Sequence, residues 1–166
     1  MLYLTTKPPK TAPAELERYL LAADGYLYLG MPHEALQELS QIPAGYGSDS
    51  SVLRARIRIL LHLKLWKRAE QLAMEGTSLY PEENEFMVQR AFSLHQQEKG
   101  PEAVQVILDA PDWIRRTGIL HYNLACYEAQ LGDIGTARQC IRAAFELNAA
   151  FKKNARKDPD LQRLWN

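Results

Sequence analysis

The feature that most restricts what this chain can become is a spacing. Stepping back from Ala137 by 34 residues reaches Ala103, then Ala69, then Ala35, with no insertion or deletion between copies. The last copy is the most legible: residues 121–151 form two amphipathic stretches broken at Gly132-Asp133. Small residues fall where two such helices would touch. One hairpin of this kind cannot bury its own apolar face, so copies must stack, and about three are needed for a stable array. The four copies found here meet that condition.

The residues between the alanines agree with this reading. From Ala14 onward Leu16, Tyr19, Leu20, Ala23, Tyr26 and Leu27 recur at the spacing of an amphipathic helix. Gly30 stops that helix, Pro32 opens the next, and Pro43 ends it after Ala35, Leu36 and Leu39. Residues 44–50 are loop by composition, and Asp49 or Ser50 caps a helix to Lys64 that buries Leu53, Ile57 and Leu60. Its partner spans 66–80, with Ala69, Leu72 and Ala73 inward, and is closed by Pro81. Helices at 84–97, 100–110, 117–131 and 133–148 follow. Asp158-Pro159 pairs a capping residue with proline at the first helical position, so a last short helix carries Leu161, Leu164 and Trp165 on one face. The expected fold is all-α. Its hairpins fall at 16–49, 50–83, 84–117 and 118–151, with a closing segment at 152–166, all in one domain over 14–166. Residues 1–13 read as a flexible tail, because Pro8, Pro9 and Pro13 exclude a regular helix before the last of them.

The invariant alanine has a physical reason: two helices that pack closely need a small side chain at their contact point. Aligned on it, Ala23, Ile57, Ala91 and Ala125 share one register position, and Tyr26, Leu60, Leu94 and Glu128 share another. Leu39, Ala73, Ile107 and Ile141 share a third, and a closing proline survives as Pro81. Over residues 14–151 this pattern resembles the tetratricopeptide repeat. The resemblance implies a right-handed α-solenoid whose first helices line a concave groove, and a family of non-catalytic adaptors. Asn123-Leu124-Ala125-Cys126, with Asp158-Pro159-Asp160-Leu161 and Trp165, looks like the closing segment of many bacterial members, which implies a C-terminal cap. Arg56 and Arg90 stand where the family has leucine and should be less buried than that leucine. Trp113 shares the register position of Leu79 and Leu147 and is expected in the core.

Twenty basic and twenty acidic side chains cancel, so no global charge favours nucleic acid or an anionic membrane. The apolar runs are too short to span a bilayer, and the first ten residues lack the pattern of a signal peptide. Two cysteines make neither a disulfide framework nor a metal quartet, and a reducing cytoplasm is the expected compartment. No catalytic constellation emerges, so no enzyme activity, cofactor or metal is expected.

Projected onto the resemblance, the groove takes Glu17, Leu20, Leu21, Asp24 and Tyr28 from the first hairpin, and Arg54, Ala55, Arg58 and His62 from the second. The third supplies Val88, Gln89, Phe92, His95 and Gln96, and the fourth Tyr122, Asn123, Cys126 and Gln130. Arg54, Arg58 and His62 form one helical stripe that reads either as a grip on an acidic peptide or as a solvated face. The two-carboxylate clamp of some co-chaperones is disfavoured, since Val88, Gln89 and Ile119 do not fit it. His62 and His95, two histidines without a third ligand, make no metal site. Cys126 reads as a small filler rather than a nucleophile. Leu20, Leu21 and Tyr28 leave an apolar patch at the N-terminal end, which the apolar Met1-Leu2-Tyr3-Leu4 could cover in the same molecule or in a second copy.

The expected function is therefore a protein-interaction module that binds a peptide or partner helix in its groove. Two alternatives stand beside it: a chaperone dedicated to one client in secretion or assembly, and a self-assembling subunit that dimerises through its N-terminal end.

Overall fold

The computed structural model describes residues 14–165; the expectations for the N-terminal tail, including its folding back, lie outside them. These residues group into two compact units, divided between Leu65 and Trp66, inside the second sequence repeat. Each is helical. Among the described residues there is no strand.

The first unit contains α1 (Ala14–Tyr28), α2 (Pro32–Ser40), a 3-10 turn (Ala44–Tyr46) and α3 (Ser50–His62). Gly30, at φ +73°, makes the left-handed turn between α1 and α2. Asp49 caps α3 by accepting from the Ser51 amide at 2.9 Å. Leu16, Ala23, Ala35, Leu39, Ile42, Val52, Ala55 and Ile59 form the core of this unit. Arg56 is half-buried, as its register position predicted, and its guanidinium donates to the carbonyls of Gly47 and Leu39. It ties α3 to the chain that leaves α2.

The second unit contains α4 (Trp66–Leu79), α5 (Asn84–Gln96), α6 (Gly100–Leu108), α7 (Asp112–Arg115), α8 (Gly118–Leu131), α9 (Ile134–Leu147), α10 (Phe151–Ala155) and a closing 3-10 helix (Pro159–Leu164). Successive helices pack in pairs: α4 with α5, α5 with α6, α8 with α9, while α6 crosses to α8. At the α4–α5 contact Gly76 lies so close to Phe86 that a Cβ there would stand 2.3 Å from the ring. Gly132 (φ +92°) turns α8 into α9, and Asp133 caps α9 by accepting from the Thr136 amide at 2.9 Å.

The register derived from the sequence is visible in the packing. Ala35, Ala69, Ala103 and Ala137 all have no accessible surface, and neither have Ala23, Ile57, Ala91 and Ala125. Trp113 is the exception to expectation. It is 53% exposed, and so are its register partners Leu79 (51%) and Leu147 (52%), so the alignment holds but the position faces solvent. Pro111 starts the short α7 there, and Ile114, one residue on, takes the core place.

Candidate functional site

In the first unit, the predicted groove residues at the outer face of α1 are open, whereas Ala55 of α3 is buried in the core. Leu21, Asp24 and Tyr28 follow one another at helical spacing on α1, and all three are exposed; Leu21 keeps 71% and Tyr28 92% of its surface in solvent. Leu20, one residue aside, is half-buried and packs against the core of the unit. Leu29 and Met31 continue the exposed apolar surface past the end of α1. Asp24 forms an ion pair with Arg58 of α3, which sets the arginine stripe beside this row. Arg54 donates to Ser50 Oγ at 2.8 Å, and His62 Nδ1 lies 2.9 Å from the Arg58 carbonyl. The stripe is thus real as geometry. Its charge is partly met from within the unit.

In the second unit, the chain itself occupies the face that the sequence assigned to a partner. The C-terminal 3-10 helix packs on α8 and α9, with Leu161 and Leu164 buried in the core cluster. Its two carboxylates reach back to predicted groove residues. Tyr122 donates its hydroxyl to Asp158 Oδ2 at 2.7 Å, and Gln130 Nε2 donates to Asp160 Oδ1 at 2.7 Å. His95 Nε2 of α5 lies 3.3 Å from Asp160 Oδ2, and its ring rests 4.4 Å from that of Tyr127. Gln89, His95, Tyr122 and Cys126 are all buried. Rather than lining an open groove, His95, Tyr122, Cys126 and Gln130 receive the closing segment. Asp158 also caps its own helix, accepting from the Asp160 amide at 3.1 Å.

The remaining predicted residues lie around this closed face. Phe92 is half-buried and meets Trp66 edge-on at 6.1 Å. Gln96 is exposed, and Asn123 is half-buried. His62 belongs to the first unit and His95 to the second. Trp165, expected to help cover the apolar face, is 42% exposed and contributes instead a hydrogen bond from Nε1 to the Ala155 carbonyl at 3.2 Å.

Electrostatics follow from this closure. The hydrogen bond with His95 holds the Asp160 carboxyl below the usual carboxylate range, against the opposing effect of its burial. Burial pushes the Cys126 thiol well up, and the nearby Asp158 and Asp160 charges add to it. Burial and the Asp158 hydrogen bond push the Tyr122 phenol up in the same way. At neutral pH the site therefore holds the Asp160 carboxylate, a neutral phenol and a neutral thiol.

The sequence did not disclose that Asp158 and Asp160 converge on Cys126. The ligand atoms of these three residues lie within 4.8 Å of one another. The signal that could have found them was the resemblance of the closing segment itself, which names both Cys126 and the aspartates, and which was read only as a cap. A second feature was also missed: a pocket of about 420 Å³ among α6, α7 and α8, floored by Ile107, Leu120 and Leu124 and edged by Arg115, Arg116 and His121. Arg115 pairs there with Asp112.

An all-α array of stacked hairpins with a 34-residue register is a tetratricopeptide-type solenoid. Solved structures of MamA, a protein of that type, share the fold. The structure titled MamA 41-end from Desulfovibrio magneticus RS-1 superposes with a TM-score of 0.69 at 17% identity, covering 82% of this chain and 77% of that one. MamA MSR-1 C2 gives 0.66 at 17% identity over 84% and 82% of the two chains, and the RS-1 ArsTM double mutant 0.68 at 15% over 81% and 75%. No protein-family model and no curated protein matches the sequence. Among the described residues, no helix is long and apolar enough to cross a membrane.

Proposed function

We propose that this protein is a non-catalytic interaction module, and that it engages a partner through the α1–α3 surface of its first unit. The observation that carries this reading is the exposed row of Leu21, Asp24 and Tyr28, extended by Leu29. Scattered apolar residues on a surface need no explanation, but a row of this kind marks an interaction site. The corresponding surface of the second unit has its own chain against it, which leaves the first unit as the available one. The partner that suits it is a helix or extended segment of another protein. Two apolar side chains would sit at Leu21 and Tyr28, with an acidic group near Arg54 and Arg58. A stacked-hairpin array holds such a surface on rigid helices, and this supports an adaptor role over a catalytic one.

The same apolar row also supports the alternative of self-assembly, in which a second copy is the occupant. One set of variants separates the readings. Leu21→Asp with Tyr28→Asp removes the apolar row, and Arg54→Glu with Arg58→Glu reverses the stripe. Capture from the native cell, run in parallel on the unaltered chain and both double variants, should show bound proteins lost from the first and reduced on the second. An identical set of bound proteins on all three would overturn the assignment of this surface. Light scattering at two protein concentrations decides the occupant: a mass that rises with concentration, and falls back in Leu21→Asp/Tyr28→Asp, assigns the row to a second copy.

A further inference from the structure

The geometry points to a binding site for a small organic acid, a carboxylate carried on one aliphatic or aromatic group, in the pocket among α6, α7 and α8. The pocket measures about 420 Å³ and is floored by Ile107, Leu120 and Leu124. That volume lies in the lower part of the range of small-molecule sites, about 300–1,000 Å³.

The pocket stands out because the chain builds the same device twice and fills it only once. In the first unit α2 ends at Ser40, Pro43 opens a 3-10 turn at Ala44, and α3 starts at Ser50. Two repeats later α6 ends at Leu108, Pro111 opens α7 at Asp112, and α8 starts at Gly118. Each of these boundaries keeps the repeat register. In the first copy the space between short helix, turn and next helix belongs to Arg56. Its guanidinium donates to the Gly47 carbonyl at 3.3 Å and to the Leu39 carbonyl at 3.5 Å. Leu124 holds that register position in the second copy. An aliphatic side chain can make neither bond, so it stays in the floor and the space above it is open.

The rim changes together with the floor. Where the first copy has Ser48 and Leu53, the second has Arg116 and His121. Both line the pocket, and among the described residues neither side chain has a hydrogen bond or ion pair. Arg115 is committed elsewhere: it pairs with Asp112 and donates to the Leu108 carbonyl at 3.5 Å, which neutralises the acidic group at the rim. One uncompensated guanidinium and one imidazole therefore stand over an apolar floor. Such a rim repels a cation like the Arg56 guanidinium and attracts an anion. Arginine takes a carboxylate through two parallel hydrogen bonds, and the His121 ring can donate a third. The apolar group of the acid then covers Ile107, Leu120 and Leu124 and displaces water from them.

The test is a titration of the isotope-labelled full chain with octanoate and with phenylacetate, followed through the backbone amide signals. Saturable shifts should centre on Arg116, Leu120 and His121. Octanamide and phenylacetamide keep the apolar group but lose the charge, and should bind roughly tenfold more weakly or worse. Arg116→Glu should weaken both acids by at least that factor. Leu124→Arg should fill the pocket as Arg56 fills its counterpart and abolish binding; if that variant does not fold, Arg116→Glu, at an exposed position, still decides. No saturable shift with either acid, or full affinity in Arg116→Glu, would sink the site. An acetylated glycyl-glycyl-leucine with a free C-terminus that binds roughly tenfold more tightly than both acids would overturn the assignment to a small acid and give the pocket to the end of a partner chain. Leu21→Asp/Tyr28→Asp leaves every pocket residue in place, so failure of this site and failure of the first-unit surface are read separately.

Discussion

Gly30, Lys64, Glu98 and Gly132 all adopt positive φ, and they are spaced by 34 residues. This is one turn used four times. Two copies fill it with glycine, which enters the left-handed region without strain, and two fill it with residues for which that conformation costs about 1–2 kcal/mol. Glycine gives back some of that gain through its freer unfolded chain, worth roughly 0.5–1 kcal/mol. Glu98→Gly should therefore stabilise the protein by about 0.5 kcal/mol, and Gly132→Ala should destabilise it by about 0.5–1 kcal/mol. Urea-unfolding midpoints check both. A stabilising Gly132→Ala would mean that the turn does not hold its left-handed geometry in solution. The glycines at 30 and 132 were legible in the sequence as helix stops; Lys64 and Glu98 were not, because nothing in a charged side chain announces a strained backbone.

Two other glycines show how little a residue type says without its neighbours. Gly25 lies in α1 with nothing within 4 Å of an added Cβ, while Gly76 lies in α4 with the Phe86 ring at 2.3 Å. Within a helix, alanine is favoured over glycine by about 1 kcal/mol, so Gly25→Ala should stabilise by roughly that amount. At Gly76 the same gain meets a fully buried ring that has nowhere to move. Overpacking costs of about 1–3 kcal/mol should win, and Gly76→Ala should lower the thermal midpoint while Gly25→Ala raises it. The pair reports directly on the α4–α5 contact. At this scale the sequence located the helices within a residue or two, since period, proline and capping residues are local. It did not give α7 or α10, whose four and five residues are too short to show a period.

For the whole molecule, acidic and basic side chains balance and the sequence pI is about 6.9. Repulsion between copies is therefore weakest near neutral pH. Static light scattering at fixed concentration should peak there and fall on either side, and Leu21→Asp/Tyr28→Asp should flatten the peak by adding charge and removing the apolar row. A profile without a maximum near neutrality would show that association is governed by specific contacts rather than by net charge. The apolar row was largely readable from the sequence, since Leu21 and Tyr28 recur at helical spacing.

The second unit is where that reading reached its limit. Register alone determined that this chain is an all-α array of hairpins and that Ala35, Ala69, Ala103 and Ala137 sit at helix contacts, while the capping role of the last segment came only with the family resemblance. Helical period and small-residue spacing are properties of neighbouring residues, and a linear code carries them. That Asp160 meets His95 across 65 positions, and that Asp158 meets Tyr122 across 36, depends on where the closing segment lies once the array has stacked. Groove positions projected from a repeat assume that every repeat is left open. Here the tertiary structure places the chain's own carboxylates on the last of them, because the buried Leu161 and Leu164 draw that segment into the core and leave Asp158 and Asp160 directed at α8 and α5.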